Sequence, residues 1–406
     1  MNVRAEPESS PGMNRLLITM LWIVSMLGTA ALLLQRYRGG VADKSIDLTT
    51  YFQPAAQQIL AGSSPYVVPG YVYSPLVAML ITPVANWDYL LPAWVVLNLA
   101  CAVACIALMT AALRRQHWGW QTPVLFGTGA LTLLSNWPTT IVFALGQTDF
   151  MVMAAFALAG WGSARQRPSA AGGGIALAGL IKTWPGLVAM WFFRREASQR
   201  LPTVLWALAI VVAGVGSSLA RFGLDGVVGW AAAVVDAHRQ PDLILFSAMG
   251  FGDHLFGSTP GTIALIHSPA AAWAASIAYG LVVLTLLALV LLRPGEPILA
   301  LWHTMLACVL ILPVSHATYL IYGVPLLWIW TARALNGGWR RPALVAGLVG
   351  LFTWWLVVFR TTWGDMTTGM STIGYAIVML ATLCVLAGSV LAEASSVKPS
   401  ASRAVA

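Results

Sequence analysis

Long apolar runs with few or no charged residues recur along almost the whole sequence. Residues 16–35 and 91–113 are two such runs, and each approaches the roughly 20 residues that a helix needs to cross about 30 Å of hydrocarbon. The composition agrees, since 59% of the 406 residues are hydrophobic and only 9% are charged. An ordinary soluble domain does not have this composition, so the sequence predicts an all-α polytopic membrane protein.

We expect one membrane domain over residues 16–392, between cytoplasmic tails at 1–15 and 393–406, with about twelve membrane segments. The first run lacks a nearby small-residue cleavage site and is interpreted as a span. Residues 171–193 are interrupted by Lys182-Thr183-Trp184-Pro185 and have basic residues at both ends, which favours a re-entrant V with its tip at Lys182. Residues 73–86 are short and contain proline, so we expect a half-inserted helix there. The other expected spans are 16–35, 91–113, 123–137, 149–163, 201–220, 271–292, 297–313, 319–332, 343–359 and 374–391.

The distribution of charge predicts the orientation. With both termini inside, fifteen of the 22 Lys and Arg residues fall on the inner side and six on the outer side, as the positive-inside rule requires. The net charge of +8 then faces an anionic inner leaflet, and no nucleic-acid partner is expected. All five Glu fall inside and all nine Asp outside. Either Asp simply caps outer helices and turns, or the outer face carries the working carboxylates.

The first outer loop, residues 36–74, contains a stretch that differs from the rest of the chain. It opens with Asp47, and apolar residues then recur at helical spacing, which predicts an amphipathic helix on the membrane face. Gly62 would end this helix, and prolines and a glycine break the chain before it returns to the bilayer. A second polar excursion is expected at 221–268. The apolar positions of the helix are Leu48, Tyr51, Phe52, Ala55 and Ile59.

The four cysteines all fall within expected spans, so neither a disulfide framework nor a zinc site is predicted. Lys182 is the one Lys or Arg that the expected topology leaves inside an apolar segment, which makes it a candidate for function. The alternative is that its side chain snorkels to the nearer interface. The sequence also has no Asp-X-Asp pair of the kind that binds a nucleotide-sugar metal, and we expect neither a metal nor another cofactor.

Four groups of residues stand out along the chain: Asp47…Tyr51…Ala55…Gly62…Pro65-Tyr66…Tyr73-Ser74-Pro75, then Gly146-Gln147, Ile181-Lys182…Pro185, and Pro313…His316…Tyr319…Pro325. Together they resemble glycosyltransferase family 87, whose members are C-type integral membrane mannosyltransferases that use polyprenyl-phosphate mannose. Ser74 stands where a proline is common in that family, and Ser315-His316 where a tryptophan often lies near the histidine. The resemblance runs through most of the chain and implies the C-type glycosyltransferase fold.

The resemblance and the expected topology together predict a role for each candidate residue. Asp47 would be the base that takes the proton from the attacking sugar hydroxyl, with Asp43 as the fallback, and single displacement would invert the anomeric carbon. The donor phosphate would be bound by His316, Lys182 and Arg360. The sugar and acceptor would be bound by Tyr51, Gln147, His254 and Tyr319.

Four of these residues also have an interpretation without catalysis. Asp47 would merely cap the helix that starts at Leu48, and His316 would be an interfacial histidine bonded to backbone. Gln147 would lie in a turn before the next helix, and His254 would be solvated in its loop.

The expected partners are polyprenyl-phosphate mannose, a glycolipid acceptor of the phosphatidylinositol mannoside or lipomannan type, and membrane lipids. A monomer is compatible with the sequence. The expected location is the plasma (inner) membrane, with the active site on the periplasmic or outer face. Two rivals stay open: the same fold acting on another lipid-linked sugar such as arabinose, and a secondary transporter or lipid flippase. Transporters often contain paired broken helices, whereas here Lys182 marks a single interrupted segment.

Overall fold

The computed structural model describes residues 11–114, 118–237, 246–257, 266–293, 295–312, 315–336 and 370–396. Within these ranges the secondary structure is helical and no strand occurs, as the apolar composition predicts. The expected span at 343–359 and Arg360 lie outside the described residues. The helices are α1 (Pro11–Ala42), α2 (Gln53–Leu60), α3 (Pro75–Ile81), α4 (Leu90–Leu113), α5 (Gln121–Ser135), α6 (Trp137–Leu145), α7 (Asp149–Ala164), α8 (Pro168–Ile181), α9 (Ala197–Ala237), α10 (Ala248–Phe256), α11 (Pro269–Leu292), α12 (Pro297–Ile311), α13 (Val324–Leu335) and α14 (Met370–Ser396).

Five described helices are long and apolar enough to cross a membrane: Asn14–Ala42, Leu90–Leu113, Ser198–Asp236, Pro269–Leu292 and Ala376–Ala394. The bent pair α6 and α7, which turns by 119° between Leu145 and Asp149, raises the number to six if it forms one span. This is a multi-pass membrane protein. The expected count of about twelve segments is not confirmed, because several expected spans are helices of about 15 residues, such as α5 and α12. At a rise of 1.5 Å per residue, such a helix covers only about 22 Å.

The reversal predicted around Lys182 is confirmed. Helix α8 ends at Ile181, and a 3-10 helix over Trp184–Arg194 then returns along it, so that a Cβ added to Gly179 would lie 3.3 Å from the Cα of Gly186. At the end of the returning limb, the guanidinium of Arg195 donates to the Ser163 hydroxyl. The first limb therefore begins, and the second limb ends, beside the C-terminal end of α7, and Lys182 lies at the far tip.

Glycines allow α8 to lie very close to its neighbours. A Cβ at Gly174 would collide with the carbonyl oxygen of Ala155 in α7, and one at Gly172 with that of Thr203 in α9. Small residues at helix contacts are the usual means of close packing in membranes, where burial of apolar surface gives no advantage over lipid. The close packing fixes the position of Lys182 relative to α7.

Much of the polar excursion expected at 221–268 is helical in the described residues, and its place on the outer side stays a prediction. Helix α9 continues to Ala237 through a kink at Gly223, whose φ of 65° favours glycine. Helix α10 packs on α11, with the rings of Phe251 and Tyr279 stacked at 4.6 Å.

The first outer loop contains the expected helix, but the role expected for its apolar face is not confirmed. Leu48 to Phe52 form a π-helical turn that leads into α2, and the apolar stripe is buried inside the protein. Phe52 lies 4.5 Å from the ring of Tyr73 and 5.4 Å from that of Trp94. This small core, distinct from the main one, covers the face that we expected to contact lipid.

The N-terminal end of α12 carries a group of paired charges, which we call the arginine–glutamate cluster: Arg333, Glu296 and Glu393. Arg333 donates to carboxylate oxygens of both glutamates, at 2.8 Å for Glu296. Glu393 also accepts the backbone N–H of Glu296 at 3.0 Å. Because this cluster precedes α12 and His316 comes after it, the two lie toward opposite ends of that helix.

Candidate active site

Asp47 lies between α1 and the π-helical turn, and its placement begins with a strained turn. Lys44 and Ser45 both have positive φ, which brings the chain back after α1. Asp47 itself is 9% exposed and makes no capping hydrogen bond to the helix after it. The interpretation of Asp47 as a simple helix cap is therefore wrong, and its carboxylate faces the interior.

The turn between α6 and α7 is fixed against this segment. Gly146 ends α6 in the left-handed conformation, and a Cβ at this position would come within 2.6 Å of the Ser45 Cβ. The carbonyl oxygen of Gly146 accepts the indole N–H of Trp94 at 2.8 Å. This turn places Gln147 directly beside Asp47.

Gln147 connects three segments of the chain. Its amide nitrogen donates to Oδ2 of Asp47, and its amide oxygen accepts from Tyr73 at 2.8 Å and from Nζ of Lys182 at 3.0 Å. A glutamine uses both ends of its amide here. It thereby links the base predicted in the first loop to the tip of the re-entrant segment.

Lys182 is buried and paired, so the snorkelling alternative is wrong. Its ammonium nitrogen lies 2.7 Å from Oδ1 of Asp149, and the two side chains are 7% and 0% exposed. The same oxygen accepts the hydroxyl of Tyr322 at 2.7 Å. The other oxygen of Asp149 has no hydrogen-bond partner among the described residues. We call the connected side chains Asp47, Gln147, Lys182 and Asp149 the aspartate–lysine network.

Aromatic side chains enclose the lysine. Its ammonium lies 4.5 Å from the ring centroid of Tyr319 and 5.9 Å from that of Tyr73, which are cation–π distances. The ring centroids of Trp184 and Tyr319 are 5.3 Å apart, and those of His316 and Tyr319 are 5.6 Å apart in an edge-on arrangement. The enclosure excludes water from the ion pair.

Ser74, which departs from the common proline, has a structural role. Its hydroxyl donates to the backbone carbonyl oxygen of Leu180, two residues before Lys182. Its own carbonyl oxygen accepts the hydroxyl of Tyr71 at 2.8 Å. A proline has no hydroxyl for the first bond, so serine here ties the outer loop to the re-entrant segment.

Burial changes the acid–base properties of two groups outside the spans. It raises the pKa of Asp47 to about 6, an effect reduced by the positive Lys182 and reinforced by the negative Asp149. Burial, together with the charge of Lys182, lowers the pKa of His316 to about 4. His316 is then neutral at physiological pH and would meet an anion as a hydrogen-bond donor without a charge of its own.

Sequence analysis identified part of this site. Gln147, Lys182, His316 and Tyr319 come together around Asp47 or its immediate neighbours. Tyr51 instead packs on Gly70, where a Cβ would lie 2.7 Å from its ring. His254 is buried in α10, with its ring 6.5 Å from that of Phe246.

Sequence analysis missed Asp149, Tyr73 and Tyr322 as members of the site. Asp149 is the first residue of α7, and an Asp at the start of a helix is ordinary. An available signal was its pairing potential with Lys182, since a buried cation needs a partner. Among the described residues no group of three His, Cys, Asp or Glu side chains could hold a metal ion.

The family model of glycosyltransferase family 87 matches residues 71–315, which is more than half of the chain. This chain belongs to glycosyltransferase family 87. The matched region contains Tyr73, Gln147, Asp149 and Lys182, so most of the aspartate–lysine network lies in the family's region. Asp47 lies before the match and joins the network through its contact with Gln147. The comparison with curated proteins gave no match.

As a member of this family, the chain is a glycosyltransferase, and its apolar helices make it an integral membrane enzyme. Family membership excludes neither mannose nor arabinose as the donor sugar. It does favour an enzyme over the transporter alternative, because the family is defined by transfer of a sugar.

Proposed function

We propose that this glycosyltransferase moves mannose from polyprenyl-phosphate mannose to a hydroxyl of a glycolipid acceptor, with inversion at the anomeric carbon. The acceptor would be of the phosphatidylinositol mannoside or lipomannan type. The reaction would take place on the periplasmic or outer face of the plasma membrane, with both termini in the cytoplasm.

Asp47 carries the proposal as general base. The acceptor hydroxyl oxygen attacks C1 of the donor sugar, the bond from C1 to the phosphate oxygen breaks, and the hydroxyl proton passes to Asp47. A carboxylate whose pKa is about 6 is a stronger base than an ordinary aspartate and is still ionised at neutral pH. The buried position of this carboxylate, which Gln147 binds at Oδ2, is the observation that supports the role best.

Gln147 leaves one oxygen of that base available. The amide of Gln147 binds Oδ2, and the structure gives Oδ1 no hydrogen bond to another described side chain. Oδ1 is therefore the oxygen we assign to the acceptor hydroxyl. The limited exposure of Asp47 would keep competing water away from the same position.

The leaving polyprenyl phosphate gains negative charge as the bond breaks, and this charge needs hydrogen-bond donors or cations. His316, Lys182 and Arg360 are the groups predicted for this task. His316 lies against Tyr319 at the edge of the aromatic enclosure, where an N–H could reach a phosphate oxygen. Lys182 is already paired with Asp149, so much of its charge is neutralised before a donor binds.

The proposal is tested by transfer assays in membranes that contain equal amounts of wild-type, Asp47→Asn and Asp43→Asn protein. We expect Asp47→Asn to lower transfer by at least about 100-fold, the usual contribution of a positioned base. Asp43 is exposed and its variant should keep wild-type activity. Full activity in Asp47→Asn would refute the role, and loss in Asp43→Asn alone would transfer it to the fallback residue.

A second arm identifies the sugar. Purified polyprenyl-phosphate mannose and polyprenyl-phosphate arabinose are supplied separately with an extracted glycolipid acceptor. Consumption of the mannose donor with formation of a new α-mannoside supports the proposal. Consumption of the arabinose donor alone would replace mannose while leaving Asp47 as the base.

A further inference from the structure

The orientation of the Gln147 amide is dictated by chemistry. The ammonium of Lys182 can only donate hydrogen bonds, so the amide atom that faces it at 3.0 Å must be the oxygen. The amide nitrogen must then face the opposite way, toward Asp47, where a carboxylate can only accept. Lys182 thus decides which end of Gln147 meets the base.

Asp149 in turn fixes Lys182. Its Oδ1 accepts from both Nζ of Lys182 and the hydroxyl of Tyr322, each at 2.7 Å. Asp149 opens α7, and Lys182 ends α8, which glycine packing holds close to α7. The lysine position is therefore set by two helices and one buried carboxylate.

The ammonium of Lys182 has three N–H donors, and the structure occupies three directions around it. One points to Asp149, one to Gln147, and the third side faces the ring of Tyr319 at 4.5 Å. A donor phosphate would have to displace one of these contacts. This arrangement disfavours a direct role in phosphate binding.

We propose that Lys182 and Asp149 are positioning residues that act on Asp47 through Gln147. They orient the amide so that its N–H binds Oδ2 of the base, and they set the local charge under which the base works. This inference rests on the proposed role of Asp47. It gives Lys182 a role in positioning the base in place of the predicted role in binding the donor phosphate.

The charged and titratable groups around Asp47 come from several segments. Its own segment contributes the exposed Asp43 and Lys44, and the loop before α3 contributes Tyr73. The start of α7 contributes Asp149, and the re-entrant tip contributes Lys182. The segment after α12 contributes His316 and Tyr319, which lie near Lys182. Lys182 lowers the pKa of Asp47, whereas Asp149 raises it. Removing Lys182 and removing Asp149 should therefore shift the pKa of Asp47 in opposite directions.

The test is the pH dependence of kcat/KM for the acceptor, measured on purified full-length enzyme in vesicles of fixed lipid composition. Lys182→Met should move the midpoint of the acid limb upward by about one pH unit, because the base loses a nearby cation. Asp149→Asn should move the midpoint downward. Lys44→Met is the matched control, since it removes an exposed lysine three residues from Asp47 and should leave the midpoint unchanged.

The double variant Lys182→Met/Asp149→Asn guards against misfolding of the single variants, because it leaves no uncompensated buried charge. Its midpoint should return toward that of the wild type. A Lys182→Met enzyme with an unchanged midpoint and a raised KM for the lipid donor would overturn the inference and restore the phosphate role.

An independent readout separates this inference from the proposed function. The carboxyl infrared band that disappears in Asp47→Asn is titrated in the substrate-free protein, with and without Lys182→Met. An upward shift in the variant supports the network whatever residue is the base, and no shift contradicts it. If only the proposed role of Asp47 is wrong, the Asp47→Asn enzyme will remain active while the infrared band still shifts in Lys182→Met.

Discussion

The aspartate–lysine network and the arginine–glutamate cluster both hold acids and cations together, but they do so in opposite ways. In the arginine–glutamate cluster the Arg333 and Glu296 side chains are 22% and 37% exposed, and Glu393 accepts from Arg333 and from a backbone N–H. In the aspartate–lysine network the ion pair is almost fully buried, and one oxygen of Asp149 has no partner among the described residues.

Burial and incomplete pairing are costly, and a purely structural ion pair has no need of either. Exposed or half-exposed pairs contribute little and cost little, whereas a buried pair must recover a large desolvation penalty. A protein that keeps such a pair beside a titratable carboxylate gains control over that carboxylate's charge. The arginine–glutamate cluster thus joins helix ends, whereas the aspartate–lysine network holds a buried ion pair beside the carboxylate that we propose as the base.

The largest effect should come from breaking the buried pair. Asp149→Leu leaves Lys182 buried without a counter-charge, which should lower the free energy of unfolding by about 3–5 kcal/mol. Thermal unfolding of detergent-purified protein measures this. An Asp149→Leu protein as stable as the wild type would show that the lysine finds another partner, and the contrast between the two clusters would fail.

The next effect is on the pH profile of transfer. Because the base must be deprotonated, and burial raises the pKa of Asp47 to about 6, the rate should rise with pH through 6 and level off above it. At pH 5 it should be about tenfold below the plateau. Rates from pH 4.5 to 8 at saturating donor measure this, and a flat profile would contradict it.

A smaller effect is expected where a neutral group supports the buried pair. Tyr322→Phe removes the hydroxyl that donates to Asp149, and the loss of this buried hydrogen bond should cost about 1 kcal/mol in stability. Transfer should fall by a few-fold because Lys182 is held less firmly. Matched thermal and kinetic measurements on the same preparation test both statements, and an unchanged protein would show that Tyr322 does not support the network.

The smallest effect should come from the arginine–glutamate cluster. Arg333→Met breaks two partly exposed ion pairs and should cost about 1 kcal/mol or less. Transfer and its acid midpoint should be unchanged, because this cluster lies toward the opposite end of α12 from His316. A shifted midpoint would mean that the two clusters are coupled, and the distinction drawn between them would be lost.

The sequence predicted the parts of the site that carry a local anomaly. A lysine inside an apolar segment stands out, as does a carboxylate at the start of a polar loop, and both belong to the network. Asp149 has no such anomaly, because an aspartate before a helix is common. Its partner is 33 residues away on another helix, and only the packing of α7 against α8 brings them together.

Periodicity predicted which face of a segment is apolar without showing what covers that face. The helix after Asp47 has the predicted stripe, yet Tyr73 and Trp94 cover it where lipid was expected. The same limit explains the excursion after residue 220, where scattered polar residues hid a helix that continues to Ala237. The sequence did not predict the length of each span either, because several apolar runs form only short helices such as α12.

The hairpin made by α8 and its returning limb does not change the sidedness of the helices after it. The chain enters and leaves beside the same end of α7, so α9 would start from that end even if the detour were absent. The hairpin thereby carries the Lys182 amine to the far end of α7, beside Asp149, and returns the chain to the end from which it departed.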